Sequence, residues 1–236
     1  METQYHNRRT TLKQFSIMRR IIIVCEGETE QEFCKDILRP HFLAQNTHIE
    51  APTIKKSGGG IVAWKTLQNQ IENHLKEDVS AIVTTFIDYY GLNNKLKFPK
   101  WDEAKAIVDK SDRLSFFETA MGKSLDESIR YRFIPYIQLH EFEGLLFNNI
   151  AVFDRQIARN EFTDYDELAR TIEENPNPEL INDGKDTAPS KRLLRLIKGY
   201  NKPVYGSILA ESIGLENIRN KSPRFNNWLT LLESYK

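Results

Sequence analysis

Residues 21–30 have the sequence IIIVCEGETE, and this stretch decides the fold. Its four consecutive branched apolar residues predict a buried strand over residues 20–25. Glu26 follows at the carboxyl end of that strand, and a helix is predicted over residues 28–39, ending before Pro40. Open α/β sheets bind ligands outside the carboxyl ends of their strands. A carboxylate at this position therefore predicts a ligand site rather than a packing role.

The same alternation of strand and helix continues along the chain. A weak strand is predicted over residues 48–54, followed by a glycine loop and a helix whose apolar residues repeat at helical spacing. A second strongly apolar strand covers residues 81–87 and ends at Asp88, and another is predicted over residues 132–139. This order predicts an α/β fold with a central, mostly parallel sheet flanked by helices.

The rest of the chain is predicted to be helical. Residues 91–131 are mostly helical, and everything after residue 150 combines helices with loops, including a final amphipathic helix. A chain of 236 residues suits one domain with an elaboration. The predicted organisation is a metal-binding α/β core over residues 1–150, with a helical carboxyl-terminal extension over residues 151–236 packed on it.

Composition limits the possible functions. Lys and Arg total 33, and so do Asp and Glu, which excludes a general nucleic-acid coat and requires a local basic patch for any polyanion binding. The two cysteines, Cys25 and Cys34, indicate free thiols in a reducing compartment. The sequence has neither a stretch of about 20 apolar residues, as a membrane span needs, nor an apolar signal core. We therefore predict a cytoplasmic protein that does not associate with membranes.

Acidic residues follow the predicted strands. Glu26, Asp88, Glu141 and Glu143 stand at or just beyond strand ends, where carboxylates from neighbouring parallel strands come together. Hard oxygen ligands are those that Mg²⁺ prefers, and two such ions about 4 Å apart support in-line attack on a phosphodiester. The four acids therefore predict a site for Mg²⁺ or Mn²⁺, although any single one of them also fits a solvated loop or a helix cap.

Glu141 and Glu143 are two positions apart, with Phe142 between them. In a helix such residues point in different directions, so both are not expected to bind the same ion directly. Glu141 is the preferred metal ligand, and Glu143 is then expected to orient a lysine or arginine. His140 is predicted to form hydrogen bonds or to shuttle protons, because no second His or Cys stands at zinc spacing.

Two further segments are candidates for phosphate binding. Ser190, Lys191, Arg192 and Arg195 form a basic cluster at a helix start that predicts contacts to a nucleic-acid backbone, with Lys191 as a catalytic candidate. The alternative is a solvated basic helix face. The loop at residues 57–60 also precedes a helix but lacks the Lys and Ser/Thr of a nucleotide P-loop, so it fits either a phosphate cradle or a flexible turn.

Five sequence blocks carry a family resemblance. They are EGETE (26–30), TTFIDYYGL (84–92), RFIPYIQLHEFEGLLF (132–147), ELINDGKDTAPSKRLL (179–194) and IGLENIR…SPRFNNWL (213–229). Together they resemble a bacterial domain-of-unknown-function family that is regarded as TOPRIM-like. That family is distantly related to the nuclease domain of the OLD (overcoming lysogenization defect) family. The resemblance extends over nearly the whole chain, from about Ile21 to Leu232.

The resemblance implies a TOPRIM-like fold and metal site. TOPRIM domains carry a Glu after the first strand, which matches Glu26, and an Asp-x-Asp after a later strand, whose first Asp matches Asp88. Tyr90 stands where the second Asp is expected. Glu141 or Glu143 is then expected to supply the missing carboxylate to Mg²⁺ or Mn²⁺. Because relatives are often encoded beside ABC-type ATPases in anti-phage defence loci, the resemblance also implies an ABC-type ATPase partner, and it allows an oligomer.

Three functions are compatible with these observations. The leading hypothesis is a metal-dependent nuclease that hydrolyses DNA or RNA as an effector of anti-phage defence. The second is a non-catalytic TOPRIM-like sensor or regulatory subunit that binds nucleic acid or an ATPase, favoured by Tyr90 and by the zero net charge. The third is a phosphatase or nucleotide hydrolase that acts on a small molecule.

Overall fold

A five-stranded parallel sheet lies at the centre of this computed structural model, which describes residues 18–55, 60–181, 184 and 186–235. The strands are β1 (Arg19–Cys25), β2 (Thr47–Glu50), β3 (Ile82–Asp88), β4 (Phe133–Ile134) and β5 (Ile137–Gln138). Their order is β2-β1-β3, with β4 and β5 both paired to β3, and every pairing is parallel. The predicted α/β class is therefore confirmed. The amino-terminal arm and residues 57–59 of the glycine loop lie outside the described residues.

Helices flank this sheet on both sides. They are α1 (Glu28–Phe33), α2 (Arg39–Leu43), α3 (Trp64–Glu77), α4 (Trp101–Lys105), α5 (Lys110–Lys123), α6 (Glu127–Arg130), α7 (Ile150–Gln156), α8 (Tyr165–Glu174), α9 (Pro189–Leu196), α10 (Lys202–Ile213), α11 (Leu215–Lys221) and α12 (Pro223–Ser234). Short 3-10 turns cover Asn94–Leu96, Phe142–Leu146, Arg159–Glu161 and Pro178–Leu180. Among the described helices, none is both long and apolar enough to span a membrane.

Strand β1 is buried on both faces. Ile21, Ile23 and Cys25 belong to one apolar cluster, which also contains Phe225 and Trp228 of α12. The alternate residues Ile22 and Val24 belong to a second cluster on the opposite face of the sheet. Such continuous burial is typical of a parallel strand covered by helices on both sides. Because helices after residue 150 contribute to the first cluster, they share the core of the sheet.

The pairing of β1 with β3 sets the position of the acids. Cys25 lies opposite Phe86 in the parallel ladder, and the Glu26 N–H donates to the Phe86 carbonyl at 3.0 Å. The two strands therefore end almost level. Glu26 and Asp88 leave the sheet side by side at its carboxyl edge.

The predicted end of the first helix before Pro40 is wrong. After α1 the chain continues through a π-helical turn, Cys34–Leu38, directly into α2. In this turn the Arg39 N–H donates to the Cys34 carbonyl, five residues back. We attribute the tolerated proline to this wider turn, because Pro40 has no N–H to donate and its ring crowds a regular helix. The turn also places Cys34 with its sulfur 3.8 Å from that of Cys25, both as buried free thiols.

The strand predicted over residues 132–139 is interrupted in its middle. It forms β4 and β5, which pair with successive parts of β3, because Pro135 between them cannot donate a ladder hydrogen bond. The side chain of Thr85 replaces the missing ladder contacts. Its hydroxyl accepts from the Tyr136 N–H at 3.0 Å and donates to the Tyr136 carbonyl at 2.8 Å.

Candidate functional site

Glu26 and Asp88 are in direct contact at the carboxyl edge of the sheet. The Glu26 Oε2 accepts a hydrogen bond from the Asp88 N–H at 3.0 Å, and the Ile61 backbone also donates to this carboxylate. Both acids are partly buried, so they retain access to solvent. The structure therefore brings together the two acids that the sequence placed at the ends of different strands.

Asp88 links this pair to the segment that follows β5. Its Oδ1 accepts from the Phe142 N–H at 2.9 Å, at the start of the 3-10 turn Phe142–Leu146. Glu141 precedes this turn in an extended conformation and Glu143 lies within it. Both are buried, and the charges of both act on Asp88. Two further carboxylates therefore lie near Asp88.

Glu141 binds the beginning of α9. Its two oxygens accept from the Ser190 N–H at 2.8 Å and from the Ser190 hydroxyl at 2.9 Å. Ser190 is itself buried, with 1% of its surface exposed. Both oxygens of Glu141, the metal ligand preferred from the sequence, thus bind the start of α9. The predicted contact of Ser190 with nucleic acid would require this buried residue to become accessible.

Glu143 forms an ion pair with the first residue of α10. The Lys202 Nζ lies 2.9 Å from its Oε1, and the lysine side chain remains 39% exposed. The prediction that one acid of this pair orients a basic side chain therefore describes Glu143. Lys202 itself carries no local sequence signal for the role.

Glu30, in the first turn of α1, is a fifth carboxylate beside the four that follow the predicted strands. It is 6% exposed, and its Oε2 accepts from the Gly27 N–H at 2.9 Å in a capping arrangement. Burial, followed by the charges of Glu143 and Glu26, raises the pKa of Glu30 to about 7. The three-residue spacing from Gly27 is the sequence signal for this cap.

Negative charge is concentrated in this cluster of five carboxylates: Glu26, Glu30, Asp88, Glu141 and Glu143. Burial raises the pKa of Glu26, Asp88 and Glu143, and repulsion by the neighbouring carboxylates adds to the increase. Burial alone would lower the pKa of Lys202, but attraction to Glu143 outweighs it and the pKa is raised. The ammonium group is therefore charged at neutral pH, and carboxylates still outnumber it.

The donor chemistry of the cluster fits Mg²⁺ or Mn²⁺, which prefer oxygen ligands and carboxylates in particular. The positions of the oxygens match a metal site less well. Within the described part of the chain, no three His, Cys, Asp or Glu side chains are grouped so that they could hold a metal ion. Oxygens of Glu26, Glu30 and Asp88 instead accept from backbone N–H groups, so a cation would have to compete with these hydrogen bonds.

The predicted basic cluster on α9 points elsewhere. Arg192 and Arg195 both bind Glu167 of α8, at 2.9 Å and 2.6 Å. Lys191 is exposed, and among the described residues no hydrogen bond or ion pair joins it to the carboxylates. A nucleic-acid contact by these three side chains stays a prediction, and the two arginines would have to leave Glu167 to make it.

Two other singled-out residues lie close to the acids. Tyr90, which stands where the family resemblance leads us to expect a second Asp, is 42% exposed, and its N–H donates to the His140 carbonyl at 2.9 Å. The His140 ring is buried, with its Nε2 3.3 Å from the Lys110 Nζ. The hydrogen-bonding role predicted for His140 thus has a partner in the structure.

The raised pKa of Glu30 predicts a stability that depends on pH. The folded state holds this proton up to about pH 7, whereas the unfolded chain loses it near 4.5, so the free energy of unfolding falls as pH rises through that interval. For the protein in EDTA we expect a loss of about 3 kcal/mol from this group between pH 4.5 and 8. Urea unfolding at several pH values measures it.

Glu30→Gln keeps an oxygen for the Gly27 N–H and removes the titration. We expect it to reduce the slope of stability against pH by up to about 1.4 kcal/mol per pH unit, which corresponds to one proton. Glu32→Gln, at a half-buried position of the same helix, is the matched control and should leave the slope of stability against pH unchanged. An unchanged slope in Glu30→Gln would contradict the assignment.

The chain belongs to a family of domains of unknown function, DUF4276, whose model matches residues 25–233. This match covers all five carboxylates as well as Ser190 and Lys202. It confirms the resemblance at the level of a domain-of-unknown-function family. Among curated proteins and solved structures, none matches this chain.

Proposed function

We propose that this member of the family is a phosphodiesterase that depends on Mg²⁺ or Mn²⁺ and hydrolyses DNA or RNA. The observation that supports it is the contact between the Glu26 carboxylate and the backbone of Asp88, where two adjacent parallel strands end. Glu30 and Glu143 add two buried carboxyl groups at the same place. Such a concentration of carboxylates favours a divalent cation, and the carboxyl edge of the sheet is where α/β proteins bind ligands.

The cation would supply Lewis acidity and an activated water, and in our proposal Glu26 and Asp88 hold it. Glu141 holds the start of α9 through Ser190 and so fixes the wall of the site. Lys202 is held by Glu143 with part of its side chain exposed, which allows it to bind a phosphoryl oxygen. A fixed positive charge stabilises the negative charge that develops during phosphodiester cleavage.

The TOPRIM relationship is part of this proposal. Glu26 after β1 and Asp88 at the end of the adjacent strand β3 agree with the TOPRIM pattern, while Tyr90 replaces its second Asp. Because Ser190 engages both oxygens of Glu141, we favour Glu143 or Glu30 as the replacing carboxylate. The role as an effector of anti-phage defence, with an ABC-type ATPase as partner, rests on the family resemblance alone.

A nuclease assay tests the proposal directly. The full chain is incubated with Mg²⁺ or Mn²⁺ and plasmid, linear DNA or tRNA, and we expect cleavage that EDTA abolishes. Glu26→Gln keeps an acceptor for the Asp88 N–H but loses the charge, and it should reduce cleavage to background. Glu28→Gln, at an exposed neighbouring position, should cleave like the native protein. Equal activity of native protein and Glu26→Gln would refute the proposal.

A non-catalytic sensor or regulatory subunit is the second candidate. Tyr90 and the lack of a grouped metal site among the described residues favour it. Calorimetric titration with Mn²⁺ discriminates between the two candidates. No binding at millimolar Mn²⁺, together with intact binding of nucleic acid or of an ATPase, would select the sensor.

A further inference from the structure

The hydroxyl group of Tyr200 is a buried donor that none of the described residues satisfies. Tyr200 is 7% exposed, and its hydroxyl oxygen has no hydrogen-bond partner in the described chain. Buried polar groups in folded proteins nearly always have a partner, and an exception requires an explanation. A ligand that accepts a hydrogen bond is one such explanation.

The position of Tyr200 connects this hydroxyl to the carboxylate cluster. Tyr200 stands two residues before Lys202, whose ammonium group contacts Glu143. Burial, followed by the charges of Glu143 and Glu141, raises the pKa of Tyr200. The phenol is therefore protonated at neutral pH and is available as a donor beside the acids.

Packing restricts the ring of Tyr200. It lies against the ring of Tyr205, with the centroids 5.4 Å apart and the planes at 31°. Of the neighbouring carboxylates, Glu141 accepts from Ser190 through both oxygens and Glu143 pairs with Lys202, and neither accepts from the Tyr200 hydroxyl. The hydroxyl thus has no acceptor among the described residues, and an acceptor on a bound ligand would satisfy it.

The adjacent ammonium group indicates which kind of acceptor this is. Lys202, two residues further along the chain, is partly exposed and positively charged, and it contacts Glu143. The charge of Glu143 also acts on Tyr200, so a neutral donor and a cation lie near the same carboxylate. Non-bridging oxygens of a phosphodiester accept from both kinds of donor. A water bound to a metal ion directs its hydrogens outward, so it is a poorer acceptor for a phenol.

We propose that Tyr200 is a substrate-binding residue whose hydroxyl donates a hydrogen bond to a non-bridging oxygen of the phosphodiester. This assignment rests on the proposed function, because it uses the same site and the same substrate. It adds a specific contact that no sequence motif indicates. Lys202 binds the same phosphate group through its charge.

Tyr200→Phe removes this one oxygen and keeps the ring. We expect kcat/KM for nucleic-acid cleavage to fall roughly 10- to 100-fold, the effect of losing a hydrogen bond to a charged group. In EDTA the Tm should stay the same or rise, because the hydroxyl has no partner in the part of the chain that the structure describes. Affinity for Mn²⁺ by calorimetry should change less than about twofold. Tyr205→Phe keeps its ring as well and serves as the matched control, with native kinetics.

A second measurement does not depend on turnover. Inorganic phosphate is titrated calorimetrically into the Mn²⁺-loaded protein, and Tyr200→Phe should bind it roughly 10-fold more weakly than native protein. Native phosphate affinity in the variant, a lower Tm in EDTA, or a loss of Mn²⁺ affinity would each overturn the assignment. If Tyr200→Phe cleaves like native protein while Glu26→Gln is inactive, the Tyr200 assignment fails and the proposed function stands. If native protein cleaves nothing, the proposed function fails, and the phosphate titration alone tests whether Tyr200 binds phosphate.

Discussion

Asp88→Asn is expected to lower the rate of phosphodiester cleavage at saturating Mn²⁺ by about 10³-fold or more, yet to raise the Tm of the metal-free protein at pH 8. The loss of rate corresponds to about 4 kcal/mol, which is within the range for removing a group that holds a catalytic metal. The Asn side chain still accepts from the Phe142 N–H, so the link to the 3-10 turn is preserved.

The gain in Tm follows from the charge of the cluster. Burial and then repulsion by Glu30, Glu26, Glu143 and Glu141 raise the pKa of Asp88, so a negative charge at this position is unfavourable in the fold. A neutral isostere removes that cost. We expect an increase of roughly 2–4 °C, which corresponds to about 1 kcal/mol in a domain of this size.

Asp78, which follows α3 and precedes β3 by four residues, provides the matched control. It binds Arg20 at 2.7 Å, and hydrogen bonds from Ser80 contribute to lowering its pKa below the usual value despite burial. Asp78→Asn should therefore lower the Tm and leave cleavage intact. Scanning calorimetry in EDTA and a cleavage assay in Mn²⁺ measure both quantities. Native cleavage by Asp88→Asn would remove Asp88 from the site, and a lower Tm would refute the electrostatic account.

Trp228→Ala is expected to reduce the free energy of unfolding by about 3–5 kcal/mol, as is typical when a large aromatic residue is deleted from a core. Trp228 is 2% exposed and stacks on Tyr136, with centroids 4.4 Å apart and planes at 7°. Its indole N–H also donates to the Thr84 hydroxyl at 2.9 Å. The truncation leaves a cavity and removes the donor to a buried hydroxyl of β3.

Leu231 lies on the same helix but is 56% exposed, so Leu231→Ala should change stability by less than about 0.5 kcal/mol. Urea denaturation of the three proteins measures the difference. A loss below about 1 kcal/mol for Trp228→Ala would show that α12 is not an integral part of the core of the sheet.

Local sequence patterns predicted the elements whose structure depends on local signals. The apolar runs of β1 and β3 identified Glu26 and Asp88 as neighbours at one edge. The final amphipathic helix predicted from the sequence corresponds to α12, in which Phe225, Trp228 and Leu232 are buried. The predicted element boundaries were wrong at two prolines: the helical segment continues past Pro40, and Pro135 divides the strand predicted over residues 132–139. In each case a nonlocal or unusual feature, a π turn or the Thr85 side chain, compensates for the missing N–H.

The site was predicted less completely because its polar partners are distant in sequence. Ser190 and Lys202 contact the carboxylates only through the packing of the carboxyl-terminal helices, which also brings Tyr200 near them, and no periodicity or motif specifies that packing. Glu30 is different, since its three-residue spacing from Gly27 is a local signal for the cap that the structure shows, whereas its burial depends on nonlocal packing.

The hydrogen bonds between Glu141 and Ser190 join the two parts of the chain, so the coding sequence cannot be split between them without breaking the site. The acid and its partner lie on opposite sides of the boundary predicted near residue 150, as do Glu143 and Lys202. A fragment that stops there would leave two inward-facing carboxylates without their natural neighbours. The two halves must therefore be inherited, exchanged or fused as one unit if the carboxylate cluster is to keep its shape.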